Sequence, residues 1–379
     1  MRVLHVYRTY FPDPPGGLQE AIRQICLSTR PYGIDNTLFA LSPHPDPAVL
    51  DFPEATVVRC RSWAAPASCD LGGPQALSTF RRLAQEADVI HYFFPWPFAD
   101  ILRLAAPQVP SVLTYISDIV RQRWLGTLYA PLMWHTLNSV DAIVVNAPSY
   151  AQHSPVLSTP SLTHKIRQIP LGIVSESYDI QPDPHILARH GISDTAPFLL
   201  FIGVLRYYKG LHILVEAARK VQGTLVIAGA GPEEDALHHQ VRASRLTNVL
   251  FTGRITDAEK TALLMACRGL VLPSHLRSEA YGMVLVEASL YAKPMVTCEI
   301  GTGTSFINLH GETGFVVPPN HPDELAAAMN RLLSDPTCAQ RMGEAARQRY
   351  ERLFSATLMG QSYAALFRDI FTKSQSDSA

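Results

Sequence analysis

Charge of neither sign predominates in this chain: 32 Lys and Arg stand against 33 Asp and Glu over 379 residues, a formal net charge of −1. A general nucleic-acid binder carries a marked basic excess, so no nucleic-acid partner is expected. The six cysteines (Cys26, Cys60, Cys69, Cys267, Cys298, Cys338) include no C-x-x-C pair and no zinc-like spacing. They read as reduced, mostly buried thiols of a cytosolic protein. No apolar run approaches the ~20 residues that span a bilayer. The opening MRVLHVYRTYF alternates like a strand and lacks the apolar region of a signal peptide. The expected location is the cytoplasm, at most peripheral on the inner face of the cytoplasmic membrane.

Several catalytic signatures are missing too. There is no G-x-x-x-x-G-K-[ST], no H-E-x-x-H and no G-x-S-x-G, which removes the phosphate loop, the commonest zinc protease and the hydrolase elbow. Gly229-Ala230-Gly231 follows a strand, but Glu234 stands where a dinucleotide fingerprint needs its third glycine. No Asp-x-Asp occurs, so a carboxylate pair clasping a metal-bound diphosphate has no candidate. No metal is expected.

What is present is globular: 47% hydrophobic and 17% charged residues, with length for two or three domains. Short apolar runs alternate with amphipathic stretches, twice over. The first series is Val3–Tyr7, Asn36–Leu41, Thr56–Cys60, Val89–Phe94, Ser111–Tyr115 and Ala142–Asn146. The second is Phe198–Val204, Thr224–Ala228, Asn248–Thr252, Gly269–Leu272, Pro294–Cys298 and Gly314–Val317. Buried strands alternating with helices predict parallel sheets covered on both faces. The fold class is therefore α/β, with two doubly wound Rossmann-like domains facing a cleft. Residues 1–172 form the first, 173–197 a polar linker, and 198–353 the second. A helix over 354–372 is expected to return toward the first domain.

Candidate chemistry gathers in the second half. Phe201-Ile202-Gly203-Val204-Leu205-Arg206-Tyr207-Tyr208-Lys209-Gly210 sets two cations beyond a buried strand, where they can neutralise a diphosphate. The alternative is a solvated basic loop. Ser278-Glu279-Ala280-Tyr281-Gly282-Met283-Val284-Leu285-Val286-Glu287 follows. Gly282 permits close backbone approach, and the amides of Met283 and Val284 head a helix, an anion site by geometry and dipole. Glu279 can reach sugar hydroxyls and Glu287 those of a ribose; the alternative is two ordinary helix-face charges. Gly16 and Gly17 open the first helix and can bring amides toward a phosphate, or serve only as a turn. His91 ends a strand, where it could face the cleft or be merely hydrogen-bonded. His238 and His239 point apart and make a poor metal pair.

Gly203-x-Leu205-x-x-x-Lys209-Gly210, Gly229-Ala230-Gly231-Pro232, Phe251-Thr252-Gly253-Arg254, Glu279 with Glu287, and Gly311-Glu312-Thr313-Gly314-Phe315 occur in that order. Together they resemble glycosyltransferase family 4, retaining enzymes of GT-B architecture. The resemblance covers the second half and extends through Gly16-Gly17 to the N-terminus. It implies that Arg206 and Lys209 hold the donor diphosphate and that Glu279 contacts the transferred sugar. It also implies ribose contact by Glu287, with Arg254 on the donor side. Val204 stands where the family's arginine follows the strand glycine, so that cation falls to Arg206. Ile116 stands where relatives commonly carry a histidine, which leaves Ser117 and Asp118 as acceptor-side candidates.

The subgroup it resembles most contains bacterial mannosyltransferases of O-chain and exopolysaccharide assembly. That implies GDP-mannose as donor, a polyprenyl-diphosphate-linked saccharide or oligosaccharide as acceptor, and no cofactor beyond the nucleotide-sugar. Such an acceptor implies peripheral membrane contact, for which Arg121–Leu137, with Arg121, Arg123, Trp124, Tyr129 and Trp134, is a candidate interfacial helix; a core helix is the alternative. A non-catalytic nucleotide-sugar-binding partner, or another GT-B enzyme such as an epimerase or phosphorylase, stays open at this point.

Overall fold

The computed structural model describes residues 1–13, 16–66, 69–106, 108–118 and 123–377, with backbone alone for 123–128 and 377. The chain divides into two compact units. One holds Met1–Val174 together with the C-terminal stretch from Ala356, the other Ser175–Ser355.

The first unit is built on strands β1 (Arg2–Val6), β2 (Asp35–Ser42), β3 (Val49–Asp51), β4 (Thr56–Ala64), β5 (Leu71–Gly72), β6 (Val89–Phe94), β7 (Ser111–Tyr115), β8 (Ala142–Val145) and β9 (Ile166–Gln168). Their order is β3-β4-β2-β1-β6-β7-β8-β9, with β5 on β4. Pairing is parallel except where β3 and β5 meet β4. The central strands are buried on both faces, as their continuous Val/Ile/Leu content requires. The short antiparallel pieces escape a periodicity reading because two or three residues carry no period.

The C-terminal helix Ala356–Asp377 lies in this unit against the helix Gly17–Thr29. The approach is close: a Cβ on Gly360 would sit 2.0 Å from the Ser28 carbonyl oxygen. Tyr363 and Phe367 of that helix are fully buried.

The second unit carries β10 (Phe198–Ile202), β11 (Thr224–Ala228), β12 (Val249–Gly253), β13 (Gly269–Leu272), β14 (Met295–Cys298) and β15 (Gly314–Val317). All are parallel, in the order β12-β11-β10-β13-β14-β15. This is the doubly wound 3-2-1-4-5-6 arrangement, whose order reverses between β10 and β13.

The stretch 173–197, expected as a linker, is a working part of the second unit from Ser175 on. It contains the turn Ser175–Tyr178 and the short helix Ile186–Arg189. Its polar residues mislead because they are tied down: Arg189 pairs with both Asp183 and Glu259, and the Asp183 amide donates to the Ala258 carbonyl at 3.0 Å. Among the described residues no helix is long and apolar enough to cross a membrane.

Candidate functional site

Ligands of open α/β sheets bind beyond the carboxyl ends of the strands, where the order reverses. In the second unit that place is ringed by the segments following β10 and β13. Gly210 allows the two to touch. It adopts φ +71°, and a Cβ there would lie 2.2 Å from the Pro273 carbonyl oxygen. The His275 amide then donates to the Tyr208 carbonyl at 3.0 Å, clamping one segment to the other.

The clamp brings Lys209 Nζ to Glu279 Oε2 at 2.5 Å. Both side chains are about nine-tenths covered, with 12% and 11% exposed. Burial opposes the charge on Lys209, yet Glu279, with Tyr208, holds its ammonium above the ordinary lysine range. The Ser274 hydroxyl donates to the same Glu279 oxygen at 3.2 Å. Both bonds fall on Oε2, so Oε1 is the oxygen that a ligand hydroxyl can meet. A cation held by one carboxylate in a partly dry crevice is a receptor for an arriving diphosphate, which brings more negative charge than the carboxylate it displaces.

Gly282 adopts φ +87° as the N-cap of the helix Met283–Leu290, with Leu272 and Leu285 3.0 Å from where a Cβ would stand. The first-turn amides of Met283 and Val284 have no partner within their helix. Arg277 braces the next loop, donating to the Gly301 carbonyl at 2.7 Å, and the Gly303 amide donates to the Ala280 carbonyl at 2.8 Å.

Glu287 lies further along that helix, 6% exposed. The Tyr178 hydroxyl donates to its Oε1 at 3.0 Å, and Lys260 Nζ approaches the same oxygen at 3.5 Å while lying 5.0 Å above the Tyr178 ring. Neither Tyr178 nor Lys260 was legible as a partner, because Tyr178 sits in the supposed linker. Arg206 is exposed at the N-cap of the turn Tyr207–Lys209. Arg254 is exposed just past β12, two strands from β10. The structure thus gathers Lys209, Glu279 and Gly282 around one crevice and sets Arg254 to its side.

The remaining candidates belong to the first unit. Gly16 is the extended N-cap of Gly17–Thr29, and a Cβ at Gly17 would meet nothing within 4 Å. Asp118 accepts from the Tyr115 hydroxyl at 2.9 Å and the Ser154 hydroxyl at 2.6 Å, and its amide donates to the Tyr150 hydroxyl at 2.9 Å. Ser117 beside it is half-buried. His91 is fully buried and bonded to His5 and Thr114, so of its two alternatives the hydrogen-bonded one holds. His238 packs on Phe251 with ring centroids 4.1 Å apart.

In the candidate interfacial helix, observed as Arg123–Ser139, Arg121 lies outside the described residues, as do the side chains of Arg123 and Trp124. Tyr129 donates to the buried Asp100, and Met133, Thr136 and Leu137 are buried, so part of this helix serves the core.

Comparison with known proteins identifies the family and the fold. Residues 183–349 match the model "Glycosyl transferases group 1" and residues 16–172 match "Glycosyl transferase 4-like domain". The chain is 46% identical to the D-rhamnosyltransferase WbpZ of Pseudomonas aeruginosa, covering 94% of this chain and 93% of that one. It is 41% identical to O-antigen chain mannosyltransferase C of Escherichia coli, covering 97% and 98% respectively. Among solved structures, sucrose-phosphate synthase of Thermosynechococcus elongatus superposes with a TM-score of 0.80 at 22% identity, covering 98% of this chain and 99% of that one. Anabaena HepE in complex with UDP superposes with 0.79 at 19% identity, covering 97% and 100%. The chain belongs to the family 4 glycosyltransferases and has the GT-B fold.

Proposed function

We propose that this glycosyltransferase moves mannose from GDP-mannose to a polyprenyl-diphosphate-linked saccharide or oligosaccharide in bacterial surface polysaccharide assembly, with retention and without a metal. The observation that carries the reading is the Lys209–Glu279 pair in the reversal crevice beside the Gly282 helix start. Lys209 and Arg206 take the diphosphate oxygens, joined by the amides of Met283 and Val284. Glu279 Oε1 accepts from a hydroxyl of the transferred sugar, Glu287 from the ribose, and Arg254 flanks the nucleoside. In the reacting step the bond from the anomeric carbon to the β-phosphate oxygen breaks. The acceptor oxygen bonds to the same face of that carbon, and its proton passes to the departing phosphate oxygen. Fixed cations and amides aimed at the departing charge do what a metal ion does elsewhere.

On the acceptor side stand Ser117 and Asp118, the latter held rigid by its three hydroxyl partners. The enzyme works in the cytoplasm with peripheral contact at the inner membrane face; binding to anionic vesicles in a co-sedimentation assay is expected, and none would remove that contact. The E. coli relative supports mannose as the sugar. The relative named a D-rhamnosyltransferase favours a second reading, in which the donor carries the 6-deoxy form of the same sugar.

Thermal shift against GDP-mannose, GDP-6-deoxymannose and UDP, ADP and CMP sugars, with EDTA present, tests the donor. Ligand at about 100 times its dissociation constant adds ~2.7 kcal/mol, a readable rise in Tm. A GDP-mannose shift that survives EDTA is the expected result. A larger shift with the deoxy donor selects the second reading, and a shift abolished by EDTA refutes the metal-free mechanism.

A further inference from the structure

One polar atom beside the donor crevice is buried without a partner. His275 follows the Ser274 that bonds Glu279, and it is 8% exposed. Its Nδ1 has no hydrogen-bond partner among the described residues, although buried polar groups are nearly always paired. The ring itself is firmly seated. Tyr207 and His212 lie parallel, with centroids 5.0 Å apart and an interplanar angle of 2°. His275 meets both edge-on, at 5.0 and 5.1 Å, with angles of 88° and 89°. Three rings lock together: Tyr207 from the turn that carries Lys209, His212 from the helix Leu211–Ala218 after it, and His275 from the segment beyond β13.

Burial, with His212 beside it, holds His275 below the usual histidine range. Burial lowers His212 as well, against the pull of Glu233. Both rings are therefore neutral at pH 7. A neutral imidazole has one N–H, and the proton sits on Nε2 rather than on an Nδ1 that has no acceptor. Nδ1 is then a lone pair without a donor. It lies 3.3 Å from the place a Cβ would take on Gly210, the N-cap of the helix Leu211–Ala218. Glycine has no side chain to cap that helix, and the amides of Leu211 and His212 have no partner within it. An acceptor without a donor thus stands beside donors that their own helix cannot satisfy, at the base of the loop that carries Lys209.

We propose that His275 is a positioning residue for the donor: when Lys209 turns from Glu279 to the diphosphate, the loop settles so that the Leu211 amide donates to His275 Nδ1, and this bond holds Lys209 in its ligand-bound place. The proposal rests on the reading of Lys209 as a diphosphate ligand. Tyr207 and His212 keep the imidazole oriented through the shift, and the helix gains the cap that Gly210 cannot supply. A contact made in only one of two states favours that state, so a bond absent from the empty site strengthens binding. Packing alone would need a ring at this position and no nitrogen.

Amide hydrogen exchange with GDP reads the bond directly; UDP takes its place if that is the nucleotide that shifts the Tm. Exchange at Leu211 is expected to slow about fivefold or more on nucleotide binding in the parent chain. It is not expected to slow in His275→Phe, which keeps the ring and removes the nitrogen. That variant is expected to lose about fivefold in nucleotide affinity, the scale of one hydrogen bond, with donor KM rising alike and acceptor KM unmoved. His275→Asn puts an oxygen where Nδ1 stood and is expected to keep the slowed exchange and most of the affinity. His275→Gln, whose oxygen reaches the place of Nε2, is expected to behave like the Phe variant. Unchanged Leu211 exchange in the parent overturns the proposal and depends on no variant folding. So does parent-like nucleotide affinity in His275→Phe, or an Asn variant as weak as the Phe variant, either of which leaves packing as the whole role. Failure of the donor reading looks different: no nucleotide shifts the Tm of the parent chain itself, and the proposal falls with it.

Discussion

Lys209 and Glu279 illustrate how one contact sets both chemistry and cost. Each covers the other's charge in a crevice that is about nine-tenths dry. Removing either leaves its partner charged and half-desolvated, which destabilises a buried pair. Lys209→Ala and Glu279→Gln are expected to lower kcat about 100-fold or more, the scale of one lost transition-state contact. Steady-state transfer assays check this, and near-normal kcat in both refutes the site. These residues were legible because a loop glycine, a cation and a helix-heading glycine recur at set spacing. Tyr178 and Lys260 were not: a hydroxyl meeting Glu287 from 109 residues away leaves no local pattern.

At the scale of elements, the parallel strands were the legible part, since strands buried on both faces must be continuously apolar. Most expected and observed strands agree to within a residue or two, as at Ser111–Tyr115 and Gly314–Val317, but β4 runs four residues past the expected Cys60 to Ala64 and β9 was not expected. The polar connection after residue 172 misled because its ion pairs and its buried Ile186 are set by distant partners. The loops that form the donor crevice depend on glycine in the left-handed region. Gly210→Ala forces a Cβ against the Pro273 carbonyl at a φ that alanine resists. The expected loss is about 1–3 kcal/mol of stability, with the donor KM rising because Lys209 is displaced from Glu279. Urea unfolding and donor titration measure the two effects. An unchanged denaturation midpoint would mean that the two loops do not touch in solution.

For the whole molecule, the telling feature is a polar chain through the core of the first unit. His5 and His91, both fully buried, face each other with their Nδ1 atoms 3.2 Å apart. His5 Nε2 meets Asn36 Oδ1 at 2.9 Å, His91 Nε2 meets Thr114 at 2.7 Å, and Thr114 meets the Tyr363 hydroxyl at 3.1 Å. Asn36 donates its amide to the Cys26 carbonyl at 3.0 Å, so its oxygen must accept from His5. The order of donors then follows: His91 donates to His5, Thr114 to His91, and Tyr363 to Thr114. Phe93 and Phe367 pack around the pair, so β2, β1, β6, β7 and the C-terminal helix share one network, satisfied with both imidazoles neutral, in a setting whose burial disfavours their charge. Burial lowers His5 to about 4 and, with His5 beside it, holds His91 well below its usual range. The unfolded chain takes up these protons below about pH 6.5 and the folded chain does not. Stability is therefore full above pH 6.5 and falls as the pH drops toward 4, by about 3 kcal/mol for His5 alone. Unfolding free energy measured between pH 7 and pH 4 should decline with that slope, and the decline should shrink in a His5→Gln, His91→Gln double variant that still folds. A flat profile in the parent chain would show that the two histidines titrate freely in the folded protein.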